Sequence, residues 1–222
     1  MKKINNFWVI IGTFFIYVYA SIFVSNFFEV CFITNNRILN SICLILSNLL
    51  VALLVALPFV KQLVDDFKKI NRDNLKKSYK NWLIGLGLMF VSNAIISIFI
   101  KDIATNEQYN RELLSSMPIY AISVMVIIAP ITEELVFRLS LKNSFKNKWI
   151  YAVVSGLIFG LVHLLSASSL IELLYIIPYG TLGFFFAKSV YESDSIYSSI
   201  FTHITHNALM ITILFLSHSI GA

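Results

Sequence analysis

Ala129-Pro130-Ile131-Thr132-Glu133-Glu134-Leu135-Val136-Phe137-Arg138 sets two adjacent carboxylates and a guanidinium inside an apolar run that begins near Pro118. A charge at membrane depth costs from about 2.5 kcal/mol upward, so it is seldom kept without a use. Glu134 and Arg138 are i,i+4 and share one helix face, where they can pair. Glu133 points about 100° away round the helix and is left free of that pairing. A paired carboxylate is a strut; an unpaired one beside it is a candidate reagent.

Composition sets the class. The 222 residues are 58% hydrophobic and 13% charged, with a mean hydropathy of +0.79. Soluble domains carry roughly 25% charged residues. The apolar residues come in long blocks, so the chain reads as one polytopic membrane domain (1–222), an all-α bundle of transmembrane helices. Nineteen Phe, ten Tyr and three Trp suit lipid-facing surfaces and interfacial belts. The net charge of +5 does not point to nucleic acid, because the lysines sit in short connections between apolar runs. Cys31 and Cys43 form neither a disulfide framework nor a metal motif.

Seven apolar spans are predicted, at about 7–28, 38–60, 81–100, 118–141, 149–165, 170–188 and 196–217. The first is too long for a signal-peptide core and is read as retained. The polar stretch 61–80, with seven Lys/Arg against three Asp, reads as a solvated loop. A helix lying on the bilayer is the alternative, with Leu63, Phe67 and Ile70 on its buried face. Residues 101–117 read as a mixed-charge loop. With the N-terminus in the cytoplasm, thirteen Lys/Arg fall on inside segments and three (Arg37, Lys101, Arg111) outside, which predicts an N-in, C-out protein of a cell membrane. Gly156/Gly160 and Gly180/Gly183 are spaced for close helix approach. Pro130 and Pro178 should kink their helices, and the backbone groups they free must face protein or water.

Other polar groups lie at similar depth. Phe159-Gly160-Leu161-Val162-His163 sits in the fifth span and His203-Ile204-Thr205-His206-Asn207 in the seventh. His203 and Asn207 are i,i+4 and can face one cavity. Glu133 and His163 both fall about 22 Å from the tip of a hairpin turning at residue 148, while His203 is about 12 Å from its own loop. The three share a depth, in the cytoplasmic half of the bilayer, if that Lys-rich hairpin protrudes by about 10 Å. A carboxylate beside an imidazole can hold a water and take its proton as it attacks a carbonyl. An imidazole N–H and an amide N–H on another helix can stabilise the resulting oxyanion. Glu133 with His163, and His203 with Asn207, supply those halves for peptide hydrolysis without a cofactor. The alternative places zinc on Glu133 or Glu134, His163 and His203. No H-E-x-x-H pattern occurs, and Arg138 beside the carboxylates disfavours a cation, so the metal-free version is preferred.

Glu133-Glu134-x-x-x-Arg138, Phe159-x-x-x-His163 and His203-x-x-x-Asn207, in that order on successive apolar helices, resemble the CAAX prenyl protease and bacteriocin-processing family, the Abi-type intramembrane glutamic endopeptidases. The resemblance covers about residues 118–217; the first three spans (within 1–117) carry no motif. It implies that Glu133 and His163 activate water, that His203 and Asn207 form the oxyanion site, and that Glu134 and Arg138 support them. It further implies a peptide or membrane-protein substrate, with a bacterial member of the plasma membrane processing leader or signalling peptides or conferring bacteriocin self-immunity.

Plainer readings stand beside these. Glu134–Arg138 reads as a helix-stabilising pair, Phe159 as packing and His206 as an interhelical hydrogen-bond partner. Glu172 and His218 fall near span ends, where headgroup contact suffices. A non-enzymatic membrane partner or immunity protein could use the same polar cluster as a structural core. A proton-coupled transporter could also use buried Glu and His, but the inverted repeats usual there are not evident.

Overall fold

A computed structural model describes residues 6–20, 22–23, 26–27 and 34–220. Cys31 and the His218 side chain lie outside the described residues. All regular structure in the described residues is helical. In chain order the helices are α1 (Asn6–Phe15, continued by the π-helical Ile16–Ala20), α2 (Arg37–Phe67) and α3 (Arg72–Phe99). There follow α4 (Thr105–Ser116), α5 (Pro118–Lys142), α6 (Lys148–His163), α7 (Leu170–Ser193, whose first six residues are a 3₁₀ turn) and α8 (Ile196–Ile220). Each predicted apolar run is helical where it is described. Of these, α2, α3, α5, α7 and α8 have the length and hydropathy to cross a membrane. The two remaining runs are shorter: α1, and α6 with 16 residues, about 24 Å at 1.5 Å per residue.

Polar residues at loop positions start the helices. Asn36, Asn71 and Asn147 each take an extended backbone and accept hydrogen bonds from the first amides of α2, α3 and α6. Two predicted loops are therefore mostly helix. In 61–80, Pro58 opens a single 3₁₀ turn without ending α2, and only four residues separate Phe67 from Arg72. This stretch also turns a charged residue toward protein. Phe67 is exposed while Asp66 is buried, because its Oδ2 accepts the Ile196 amide at 3.1 Å and caps α8. In 101–117, α4 forms with its first amide, Thr105 N–H, donating to Glu172 at 3.0 Å. Glu172 also accepts from Thr105 Oγ1 and from Ser168, so this carboxylate ties two loops together.

The centre of the bundle is α5. Leu135 to Leu139 are buried without a break, so this turn meets protein on every side. Around it lie α1, α2 and α8, while α7 packs between α6 and α3. The α6–α7 crossing is close, as the glycine spacing predicts. A Cβ on Gly156 would come within 2.6 Å of the Gly180 carbonyl, and one on Gly183 within 3.0 Å of the Gly156 Cα. At the lysine-rich end, Lys69 donates to Asp66 and Asp194, and Lys142 pairs with Asp194, closing the turn between α7 and α8.

Candidate active site

Pro130 shapes α5 where the site begins. The helix is π-helical over Ser123–Ile128, and the Ala129 amide donates five residues back to the Val124 carbonyl. The next donor in that register would be residue 130 to Met125, but proline has no N–H. Asn207 Nδ2 of α8 takes its place, donating to the Met125 carbonyl at 2.7 Å. The freed backbone group thus faces protein, as a proline at this depth requires. A second π-helical stretch, Leu135–Leu139, follows the two glutamates; such bulges gather at functional sites.

Glu133, Glu134, Arg138 and His203 are all buried. The i,i+4 pair forms, with Arg138 Nη1 3.4 Å from Glu134 Oε1. The same Glu134 oxygen lies 2.9 Å from His203 Nδ1. On its other edge the imidazole turns Nε2 toward Glu133 Oε2 at 3.7 Å, too far for a direct hydrogen bond. His203 therefore stands between two carboxylates of one helix. Aromatic rings fix the group: His203 stacks on Phe186 at 4.6 Å, and the Arg138 guanidinium lies 4.3 Å from the Phe159 centroid. Arg138 Nε and Nη1, Glu134 Oε2 and Ser199 Oγ are buried without a hydrogen bond among the described residues. Ser199 lies beside Glu134, one turn before His203 on α8.

His163 is the last residue of α6. Its Nδ1 lies 2.9 Å from the Phe159 carbonyl. A carbonyl only accepts, so Nδ1 carries the proton, and in the neutral ring Nε2 is left with its lone pair. The ring stacks on Tyr179 at 4.9 Å and interacts electrostatically with Glu133 and, more weakly, with His203 and Arg138. Phe159 touches His163, Arg138, Phe137 and His203, so it packs within the site.

Glu133, Glu134, Arg138, Phe159, His163 and His203 thus come together, whereas the contact that Asn207 makes is with the Met125 carbonyl. Glu133 is not left free: His203 Nε2 lies 3.7 Å from it, and Tyr17 of α1 is within electrostatic reach. Tyr17, Phe186, Tyr179 and Ser199 were not singled out in the sequence. The only signal for Tyr17 is its i+4 spacing from the buried Thr13. His206 is buried beside Phe186, and its Nδ1 has no partner among the described residues, so the interhelical hydrogen bond expected of it is not formed by that atom. The zinc alternative needs at least three converged donors, and no group of three His, Cys, Asp or Glu among the described residues is placed to hold a metal ion.

Residues 115–209, which contain every predicted site residue, match the family described as Rce1-like, type II CAAX prenyl endopeptidase. An uncharacterized protein of Mycoplasma capricolum subsp. capricolum is 32% identical over 145 residues, covering 54% of this chain and 42% of that protein. The protein named "UPF0177 protein YbdI" of Lactococcus lactis is 32% identical over 91 residues, 37% of this chain and 50% of its own length. "Putative membrane peptidase YdiL" of Bacillus subtilis is 26% identical over 161 residues, 65% of this chain and 63% of that protein. The chain thus spans about half the length of the first two relatives. No solved structure matches it.

Proposed function

We propose that this chain, whose residues 115–209 match the Rce1-like family of type II CAAX prenyl endopeptidases, is a membrane protease that hydrolyses peptide bonds with a glutamate-activated water. The observation that carries this reading is a buried Glu133 carboxylate faced by imidazoles from two other helices, with His203 Nε2 at 3.7 Å and His163 in electrostatic reach. A water or a carbonyl oxygen can sit between groups at that separation, and neither imidazole saturates the carboxylate.

In the proposed reaction, Glu133 takes a proton from a water held by His163 Nε2 as the water oxygen bonds to the scissile carbonyl carbon. Negative charge moves to the carbonyl oxygen. His203, donating from Nε2, and the second N–H of Asn207 Nδ2 receive it. Glu133 then gives its proton to the amide nitrogen as the C–N bond breaks, leaving a carboxylic acid and an amine. For His203 to donate from Nε2 while bonded to an ionised Glu134 through Nδ1, both ring nitrogens carry protons. The cluster of two carboxylates, Arg138 and imidazolium is then neutral, which favours that state in a dry site. Glu134 and Arg138 act through His203 as its orienting base.

With the proposed N-in orientation, the substrates are peptide segments reaching the cytoplasmic half of the bilayer, such as leader or signalling peptides; self-immunity to a bacteriocin is a role of the same chemistry. The test compares membrane peptidomes of cells making the wild type or Glu133→Gln at equal level. Peptides that accumulate uncut with the variant, and that purified wild type cleaves after exhaustive chelation, are the expected result. Identical peptidomes, with any phenotype retained, would refute hydrolysis and favour a non-enzymatic membrane partner.

A further inference from the structure

We propose that Glu172 is a positioning residue for His163: its carboxylate clasps the segment that leaves α6 at that imidazole and ties it to the start of α4. Glu172 is buried on the first turn of α7. It accepts from the Thr105 amide at 3.0 Å, from Thr105 Oγ1 at 3.1 Å, from the Ser168 amide at 3.2 Å and from Ser168 Oγ. All four donors are neutral, and they belong to two segments more than 60 positions apart in sequence. A carboxylate that met only lipid headgroups would have no need of four converged protein donors; a buried one does.

His163 stands at the other end of this segment, as the last residue of α6. The chain beyond it turns tightly, with the Leu164, Leu165 and Ala167 amides each donating three residues back, to the Leu161, Val162 and Leu164 carbonyls. Ser168 follows, and Glu172 holds it. The His163 ring bonds the Phe159 carbonyl one turn back, so its Nδ1 proton is placed only while the final turn of α6 stays wound. A last helical turn frays unless the chain that follows is tied down. The same end of α7 supplies a second anchor. Tyr175 Oη donates to the Asp102 carbonyl at 3.0 Å, and Tyr179, four residues on, stacks on the His163 ring. Release of Glu172 therefore loosens the segment after Leu164 first and the imidazole next. The importance of holding His163 rests on the hydrolytic reading above; the clasp does not.

The test uses the full chain in lipid nanodiscs, with Cys31 and Cys43 replaced by serine. Glu172→Gln keeps the side chain's size but turns one acceptor oxygen into a donor, which breaks the bonds that oxygen takes. Hydrogen exchange over residues 164–169 should rise about tenfold while exchange in α3 stays unchanged. The nitrogen NMR signals of the His163 ring, identified by their loss in His163→Gln, should change from the Nδ1–H tautomer to a mixture. Thr105→Val, which removes one hydroxyl and keeps the backbone bond, should show the same changes at smaller size. Thr105 Oγ1 and Ser168 Oγ lie 3.3 Å apart, so Thr105→Cys with Ser168→Cys, joined by a short bis-methanethiosulfonate reagent, puts a covalent clasp in place of the polar one. Bridging in the Glu172→Gln background should restore slow exchange and the single tautomer. On the peptides identified above, kcat should fall about tenfold in Glu172→Gln with KM unchanged, and recover on bridging. Unchanged exchange overturns the clasp. Faster exchange with unchanged His163 signals, or a loss that bridging does not repair, overturns the positioning role. The expected exchange and ring signals in a wild type that cleaves nothing uphold the inference and remove the hydrolytic reading.

Discussion

Arg138→Met isolates what the buried guanidinium contributes. The side chain is fully buried, 3.4 Å from Glu134, and lies over the Phe159 ring at 4.3 Å. A pair at that distance interacts by about 5 kcal/mol at an effective dielectric of about 20. Desolvation offsets much of this in the folded protein, but breaking the pair leaves the buried cluster one negative charge in excess, with only the His203 imidazolium between two carboxylates, which costs about 3–5 kcal/mol. Methionine retains the stem volume and a sulfur contact with Phe159, so lost packing adds little. Glu134→Gln keeps an acceptor for His203 and strands Arg138 instead, at a similar cost of about 3 kcal/mol. The double variant removes both charges, so its loss should fall short of the sum by about 2–3 kcal/mol. Unfolding by denaturing detergent or by steric trapping in bicelles measures all three. Single losses under about 1 kcal/mol that add within about 0.5 kcal/mol would show that the pair carries no such coupling and refute the reasoning.

Asn207→Leu should destabilise by about 1 kcal/mol, because the Met125 carbonyl loses the donor that replaces the absent proline N–H. The loss should shrink in a Pro130→Ala background, where the backbone supplies that donor; equal losses in both backgrounds would contradict it. Gly156→Ala puts a Cβ 2.6 Å from a backbone oxygen and should cost about 1–3 kcal/mol, whereas Gly180→Ala, with 3.5 Å to its nearest neighbour, should be tolerated in the same thermal assay. For the α7–α8 turn the sign follows from its two partners. Burial works against the Asp194 carboxylate, but bonds from Lys142 and Lys69 hold it below its ordinary 3.8. Its stabilisation is present above that value and is lost as pH falls through the lowered one. Lys69 is raised above 10.5, chiefly by its bond to Asp194, so its contribution is present below that value and lost at still higher pH. The thermal midpoint should therefore be flat between these limits, and Asp194→Asn should weaken both edges; a steep slope near neutrality that this variant abolishes would contradict the assignment.

Much of the site was legible because polar side chains in apolar helices stand out and helical spacing groups them. Glu134 with Arg138 on one face needed only the 3.6-residue period. The meeting of α5, α6 and α8 followed from asking where three separately buried polar groups could share a cost. What could not be read were contacts between helices remote in sequence. Tyr17 looks like any aromatic of an apolar span until α1 is laid against α5. That Asp66 turns toward protein was hidden because its carboxylate caps a helix that begins 130 positions later. The helix Thr105–Ser116 hid in a polar stretch because its first donor is satisfied by Glu172, 67 residues downstream. Pro130 announced a break in the backbone ladder; that Asn207 would mend it required the fold.

The brevity of α6 has a consequence for the surrounding lipid. A helix of about 24 Å is shorter than a hydrocarbon layer of about 30 Å, and the segment that follows it presents Leu165 and Leu170 outward. Were α6 to cross the bilayer, the acyl chains on that flank would compress to meet it, at fractions of a kcal/mol per Å of mismatch. Stretching cannot be absorbed between α6 and α7, whose glycines already leave no room. Strain from a thicker bilayer would then fall on the turn that begins at His163, and acyl-chain length would become a variable that sets how this imidazole is held.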